Sequence, residues 1–235
     1  MNRRSLTGLA TLGLAFAFNI PYAVLATLFD YPGILRMGAS TVLDRFTAGG
    51  AQLLLAWHGF ALTALALIPV GVLLSITRTR LIRWPALTIA AAITVALSGL
   101  AQAAGLLRWS LVVPGLARIH ADPIAPPDAR RAAEIGFDLL NAYGGIAIGE
   151  TLGQMLLVLF LLQIAWLQAR EGSRMIAMAG FVTAMLIAVG SGEGLAIALG
   201  YVDNIFGQFT VGGFLALTGW MIATGIGLVR TPRAA

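Results

Sequence analysis

The sequence predicts an all-α membrane protein. It is expected to form a single domain over residues 1–235, with six transmembrane helices arranged as three hairpins and amphipathic helices in the outer linkers. Three observations predict this. First, the chain is 59% hydrophobic and only 11% charged, against a charged share of about 25% in soluble domains. A water-soluble fold of this size would expose too much apolar surface. Second, apolar runs close to the roughly 20 residues that cross a bilayer core recur along the whole length. Third, a glycine pair recurs before the second, fourth and sixth of these runs, in "RFTAGG", "NAYGG" and "QFTVGG".

The first helix is expected at about Leu6 to Phe29, kinked by Pro21, which has no N–H to give to the preceding turn. Its opening "MNRRSLTGLATLGLAFAFNIPYAVLA" has the outline of a signal peptide, and "RRSL" that of a twin-arginine signal. The apolar run is longer than either requires, so a span is expected. The second helix is placed at about Ala51 to Ile76, the third at Ala86 to Leu107 and the fourth at Ala142 to Leu167. The fifth follows at Met175 to Leu199 and the sixth at Phe209 to Leu228. Two linkers carry apolar residues at helical spacing with charges off the stripe. One is "GILRMGASTVLDRF"; the other is "ARRAAEIGFDLL", after the turn-forming "ADPIAPPDA". Both are expected to be helices on the outer surface, roofing the bundle.

All fifteen basic residues are arginine. Nine lie on the side of the termini: Arg3, Arg4, Arg78, Arg80, Arg83, Arg170, Arg174, Arg230 and Arg233. Six lie on the other, with Asp30, Asp44, Asp122, Asp128, Glu134, Asp138 and Asp203. Cytoplasmic loops carry the excess of basic residues, so both termini are expected in the cytoplasm. The net charge of +5 is thereby read as membrane orientation, with no nucleic-acid partner.

The hairpins look repeated. Tryptophan follows the glycine pair at the same offset twice, as Trp57 after Gly50 and Trp220 after Gly213, and "YPGILR" (31–36) echoes "VPGLAR" (113–118). Repeats with an even number of spans keep one orientation, so an axis along the membrane normal is expected. In the fourth helix Gly145, Gly149 and Gly153 share one face, where small residues let a neighbouring backbone approach.

Polar residues interrupt the apolar runs at related depth: Asn19, His58, Gln102, Glu150 (with Gln154 one turn below it) and Glu193. From the helical rise they fall on the order of 8 to 15 Å below the outer boundary. Ionisable groups in hydrocarbon cost several kcal/mol unless they face an interior or water. They are therefore expected to converge on an outward-facing cavity that binds a ligand, Glu150 foremost, with the two carboxylates as proton carriers. The structural alternative is that Glu150 and Glu193 pair with Arg36, Arg108 or Arg118.

Several chemistries lack their signatures. The chain has no cysteine, so it has no disulfide or thiolate metal site. No metal site is assigned, because no HExxH-type spacing accompanies the histidine and carboxylates. No Walker A loop, dinucleotide fingerprint or nucleophile elbow is present. Ser98 and Ser191 have no histidine nearby in sequence, and the two histidines, His58 and His120, fall in a span and a linker, which disfavours haem. No cofactor and no catalytic residue is assigned.

The stretches "FDYPGILR…VLDRFTAGG", "LLRWSLVVPGLAR" and "NAYGGIAIGETLG" together resemble an uncharacterised family of bacterial multi-pass membrane proteins, the domain-of-unknown-function 4386 type. The resemblance spans roughly residues 10 to 165. It implies a bacterial inner-membrane location and the six-helix layout, and no known activity. In the family pattern an aromatic stands at the position of His58 and a histidine at that of Thr151. This chain thus lacks one potential ligand beside Glu150, which weakens a metal reading.

The expected function is binding or transport of a small lipophilic or cationic molecule at the outward cavity. The rivals are an accessory or assembly subunit held by its glycine faces, and an intramembrane lipid-modifying enzyme with Glu150 and His58 as acid and base. Expected partners are the lipid bilayer, a small molecule or lipid, and a helix-packing partner or second copy.

Overall fold

The computed structural model describes residues 2–201 and 205–230. Among them every regular element is helical. Six helices are long and apolar enough to cross a membrane: Arg3–Phe29, Ala39–Ser75, Pro85–Ala121, Pro127–Arg170, Arg174–Ala198 and Ile205–Arg230. The protein is an all-α, multi-pass membrane protein. Asp203 and Arg233, both part of the charge tally, lie outside the described residues.

The first span is two helices, α1 (Arg3–Ala17) and α2 (Asn19–Phe29). They join at Phe18, because Pro21 cannot donate to the carbonyl of residue 17. Asn19 braces the joint: its Nδ2 donates to the Ala15 carbonyl at 2.7 Å and to Thr218 Oγ1 at 3.1 Å. After Asp30, in the left-handed region at φ 55°, one 3-10 turn, Gly33–Arg36, leads to α3 (Ala39–Ser75).

The linker helices are present and run on from the spans they join. The first is the start of α3, and only Gly50 (φ 56°, ψ −149°) departs from helical backbone between linker and span. That combination is open to glycine and not to other residues. At the far end come α4 (Arg78–Arg83) and then α5 (Pro85–Leu111), which has proline in its first turn. The second outer linker holds α6 (Val113–Ala121) and α7 (Pro127–Leu140). The chain then runs through a π-helical stretch, Asn141–Leu152, into α8 (Gly153–Arg170). The fifth span is α9 (Arg174–Gly190) and α10 (Glu193–Ala198), separated at Ser191 and Gly192, and the sixth is α11 (Ile205–Arg230).

The six spans form a ring in chain order, each antiparallel to the next, and α11 returns to α1. Arg3, Arg230 and the short loops thus share one end, and the helical linkers share the other. The glycine pairs do not repeat in backbone: Gly50 breaks a helix, Gly144 and Gly145 sit in the π-helical stretch, and Gly212 and Gly213 are within regular α11. The "PGxxR" echo also parts company, because residues 33–36 are a 3-10 turn and residues 113–118 are α-helical.

Two apolar cores stack along the ring axis. Toward the termini, α1, α3, α5, α8, α9 and α11 all contribute, with Leu161, Ile164 and Ile187 fully buried. Under the linkers a second core gathers α2, the start of α3, α6 and α7 around aromatics. Trp57 stacks on Trp109 at 4.6 Å and 8°, and Phe29 meets both edge-on. These are the favoured offset and T-shaped geometries. At the terminal end Arg80, 5% exposed, clamps two loops: Nε and Nη2 donate to the Glu171 carboxylate at 2.7 and 2.6 Å. Leu55, Leu97 and Leu215 face outward, as lipid contact requires.

Candidate functional site

A cavity of about 150 Å³ lies between the two cores. Leu14, Leu157, Leu217 and Met221 form its wall toward the termini, and Tyr31, Trp57 and Trp109 its wall toward the linkers. Asn19, Gln102, Glu150 and Gln154 also line it, with Arg108. A second cavity, of about 340 Å³, is lined by Arg36, Glu150, Gln154, Ser191 and Glu193. Glu150 and Gln154 thus stand between the two.

The sequence-predicted polar residues are therefore split. Asn19, Gln102, Glu150 and Gln154 share the first cavity. Glu193 lines only the second. His58 lines neither; its Nδ1 lies 3.1 Å from Ser110 Oγ on α5. A polar atom in an apolar run signals a partner, and for His58 that partner is the neighbouring helix. Gln102 is partly engaged too: its Nε2 donates to Ser98 Oγ at 2.9 Å, and Ser98 donates on to the Gly153 carbonyl at 2.8 Å, tying α5 to α8.

Arg36 supplies what the carboxylates lack. Its Nε donates to Glu193 Oε1 and its Nη2 to Glu150 Oε2, both at 2.9 Å. One guanidinium from the first linker thus joins the π-helical stretch to α10. Burial pushes the Arg36 guanidinium down, but its hydrogen bond to Glu193 and the charge of Glu150 outweigh it, and its pKa is raised above the ordinary value. Arg118, also expected as a partner, is exposed on α6. Tyr31, beside the pair, has its phenol pushed up, first by burial and then by the Glu150 charge, so it stays protonated.

Arg108 is the second cation, and sequence reasoning raised it only as a pairing partner. It is 6% exposed. Nη1 donates to the Gly105 carbonyl and Nη2 to Asn141 Oδ1 at 3.0 Å, while the guanidinium lies 5.1 Å from the Trp109 ring. The glycines of the fourth span explain how it fits. A Cβ on Gly145 would strike the Arg108 guanidinium, one on Gly149 would lie 3.2 Å from Gly105 Cα, and one on Gly153 would lie 2.7 Å from Gln102 Cγ. All three glycines turn to α5, and two of them make room for its polar side chains.

No protein-family model, no curated protein and no solved structure matches the chain. Among the described residues, no group of three or more His, Asp or Glu is arranged to hold a metal ion. The arrangement offers an apolar and aromatic chamber with a few fixed polar groups, the usual character of a small-molecule site. It also sits in a ring of helices with a π-helical segment in its wall, a backbone feature frequent at functional positions.

Proposed function

We propose that the protein binds, and as a transporter moves, a small lipophilic molecule in the cavity between its two cores. One observation carries this: the chamber is walled by aliphatic and aromatic side chains, yet holds buried polar groups with unused hydrogen-bonding capacity. Gln154, 7% exposed, has no partner for Oε1 among the described residues. Such groups cost free energy unless something enters to meet them.

The geometry favours the lipophilic over the cationic ligand, because both intramembrane glutamates already face Arg36. It gives less support to an enzyme, since His58 and Glu150 share neither cavity. The arginine asymmetry supports a cytoplasmic side for both termini, in a bacterial inner membrane if the family resemblance holds. Native mass spectra of protein extracted gently from its own membranes test the proposal. A reproducible added mass is expected, and Thr63→Trp, which fills the chamber from α3, should remove it. A bare chain in both forms, or an added mass that Thr63→Trp leaves in place, would count against a ligand in this chamber. An added mass equal to a second protein would favour the accessory-subunit alternative.

A further inference from the structure

We propose that the cavity ligand is an anionic amphiphile, its acceptor-rich head held at Arg108 and its tail leaving the ring between α2 and α11. This rests on the cavity being a lipophile site and names the class of lipophile.

The head follows from what Arg108 lacks. Its side chain is buried, and among the described residues no carboxylate lies within salt-bridge distance of it. Two of its nitrogens donate to neutral oxygens, and Nε has no partner. Glu150 is near, but its Oε2 is given to Arg36. A buried cation without a counter-ion is costly. The neighbouring side chains point the same way. Trp57 and Trp109, which line the chamber with Arg108, each hold a buried indole N–H without an acceptor. Indole can only donate. The unpartnered Gln154 amide can turn to present its NH₂. Unmet donors on residues that line the chamber together with one cation favour a carboxylate or phosphate; a cationic or purely hydrocarbon ligand would leave them unmet.

The tail follows from the ring. α1 packs along α11, whereas α2, beyond the break at Phe18, packs on α3. Phe18 and Tyr22 on one side and Val211 and Leu215 on the other line the chamber where the two helices part. Leu215 is 62% exposed, so the chamber reaches the lipid-facing surface there.

The test measures half-saturation by thermal shift in a neutral detergent, with dodecyl phosphate, inorganic phosphate, 1-dodecanol and dodecyltrimethylammonium as probes. Wild type should saturate with dodecyl phosphate most tightly. Arg108→Gln should weaken it at least tenfold, as loss of a charge-assisted hydrogen bond does, and leave 1-dodecanol within about twofold. Trp57→Phe, which removes one N–H and little volume, should weaken it severalfold and serves if Arg108→Gln does not fold. Equal dodecyl phosphate binding in wild type and both variants, or tighter binding of the cation, would overturn the inference. So would Arg108-dependent saturation by inorganic phosphate alone at matching concentration, which would mark a free-anion site. Saturable 1-dodecanol with no preference for the phosphate would overturn the inference and spare the lipophile site. Saturation by none of the probes would remove both.

Discussion

Arg36→Met removes the cation that bridges Glu150 and Glu193. The wild-type side chain makes two charge-assisted bonds of 2.9 Å, with exposures of 32%, 25% and 19% for Arg36, Glu150 and Glu193. That places the triad between exposed pairs, at about 0.2–1 kcal/mol, and buried ones, at about 3–5 kcal/mol on losing a partner. A loss of about 2 kcal/mol is expected, which is a fall of roughly 4–8 °C in melting temperature for a chain of this size. Glu193 and Glu150 hold the Arg36 guanidinium above its ordinary pKa, so the side chain is charged throughout, and Arg36→Met leaves the two carboxylates without their shared donor. Adding Glu150→Gln and Glu193→Gln to Arg36→Met should recover more than half of the loss. An unchanged melting temperature in Arg36→Met, or a triple variant no better than the single one, would refute the reasoning.

Trp57→Ala empties a fully buried site in the aromatic core and should destabilise by about 3–5 kcal/mol, read by denaturant titration. Gly105→Ala puts a Cβ 2.7 Å from Gly149 Cα and should cost about 1–3 kcal/mol through overpacking. Gly212→Ala meets nothing within 4 Å and should instead gain about 0.5–1 kcal/mol of helix propensity; the same sign for both would contradict the close α5 contact. Glu171→Gln strips the buried Arg80 of its carboxylate partner and should cost about 2 kcal/mol, largely recovered by adding Arg80→Met.

The six spans were legible because a bilayer imposes a length of apolar helix that few other folds use. Their ends were less so. Gly49 and Gly50 read as a boundary, and Gly50 does break the helix, yet α3 resumes at once because its linker half buries Val42, Leu43 and Phe46. Likewise "NAYGG" marked the start of the fourth span, and the chain passes through it without leaving helix. Asn19, Gln102, Glu150 and Gln154 were legible as polar atoms in apolar runs. The same rule selected His58, which a neighbouring serine satisfies. Arg36 and Arg108 carried a fainter signal. Arginine near a span end is ordinary by the orientation rule, and whether it turns inward depends on space from another helix. For Arg108 that space is Gly145, thirty-odd residues away in sequence. Tyr31 and the paired tryptophans belong to the site only because the linker folds back over the ring.

The absence of cysteine makes one measurement direct. A single Thr63→Cys variant places a thiol in the wall of the chamber, and Leu97→Cys places one on the lipid-facing surface. Labelling by a membrane-permeant maleimide would be followed in delipidated protein with and without added 1-dodecanol or dodecyl phosphate. If the chamber is a lipophile site, Thr63→Cys labels when delipidated and is protected saturably by at least one of the two, while Leu97→Cys is indifferent. Protection of Thr63→Cys by neither, or equal protection at both positions, would contradict it.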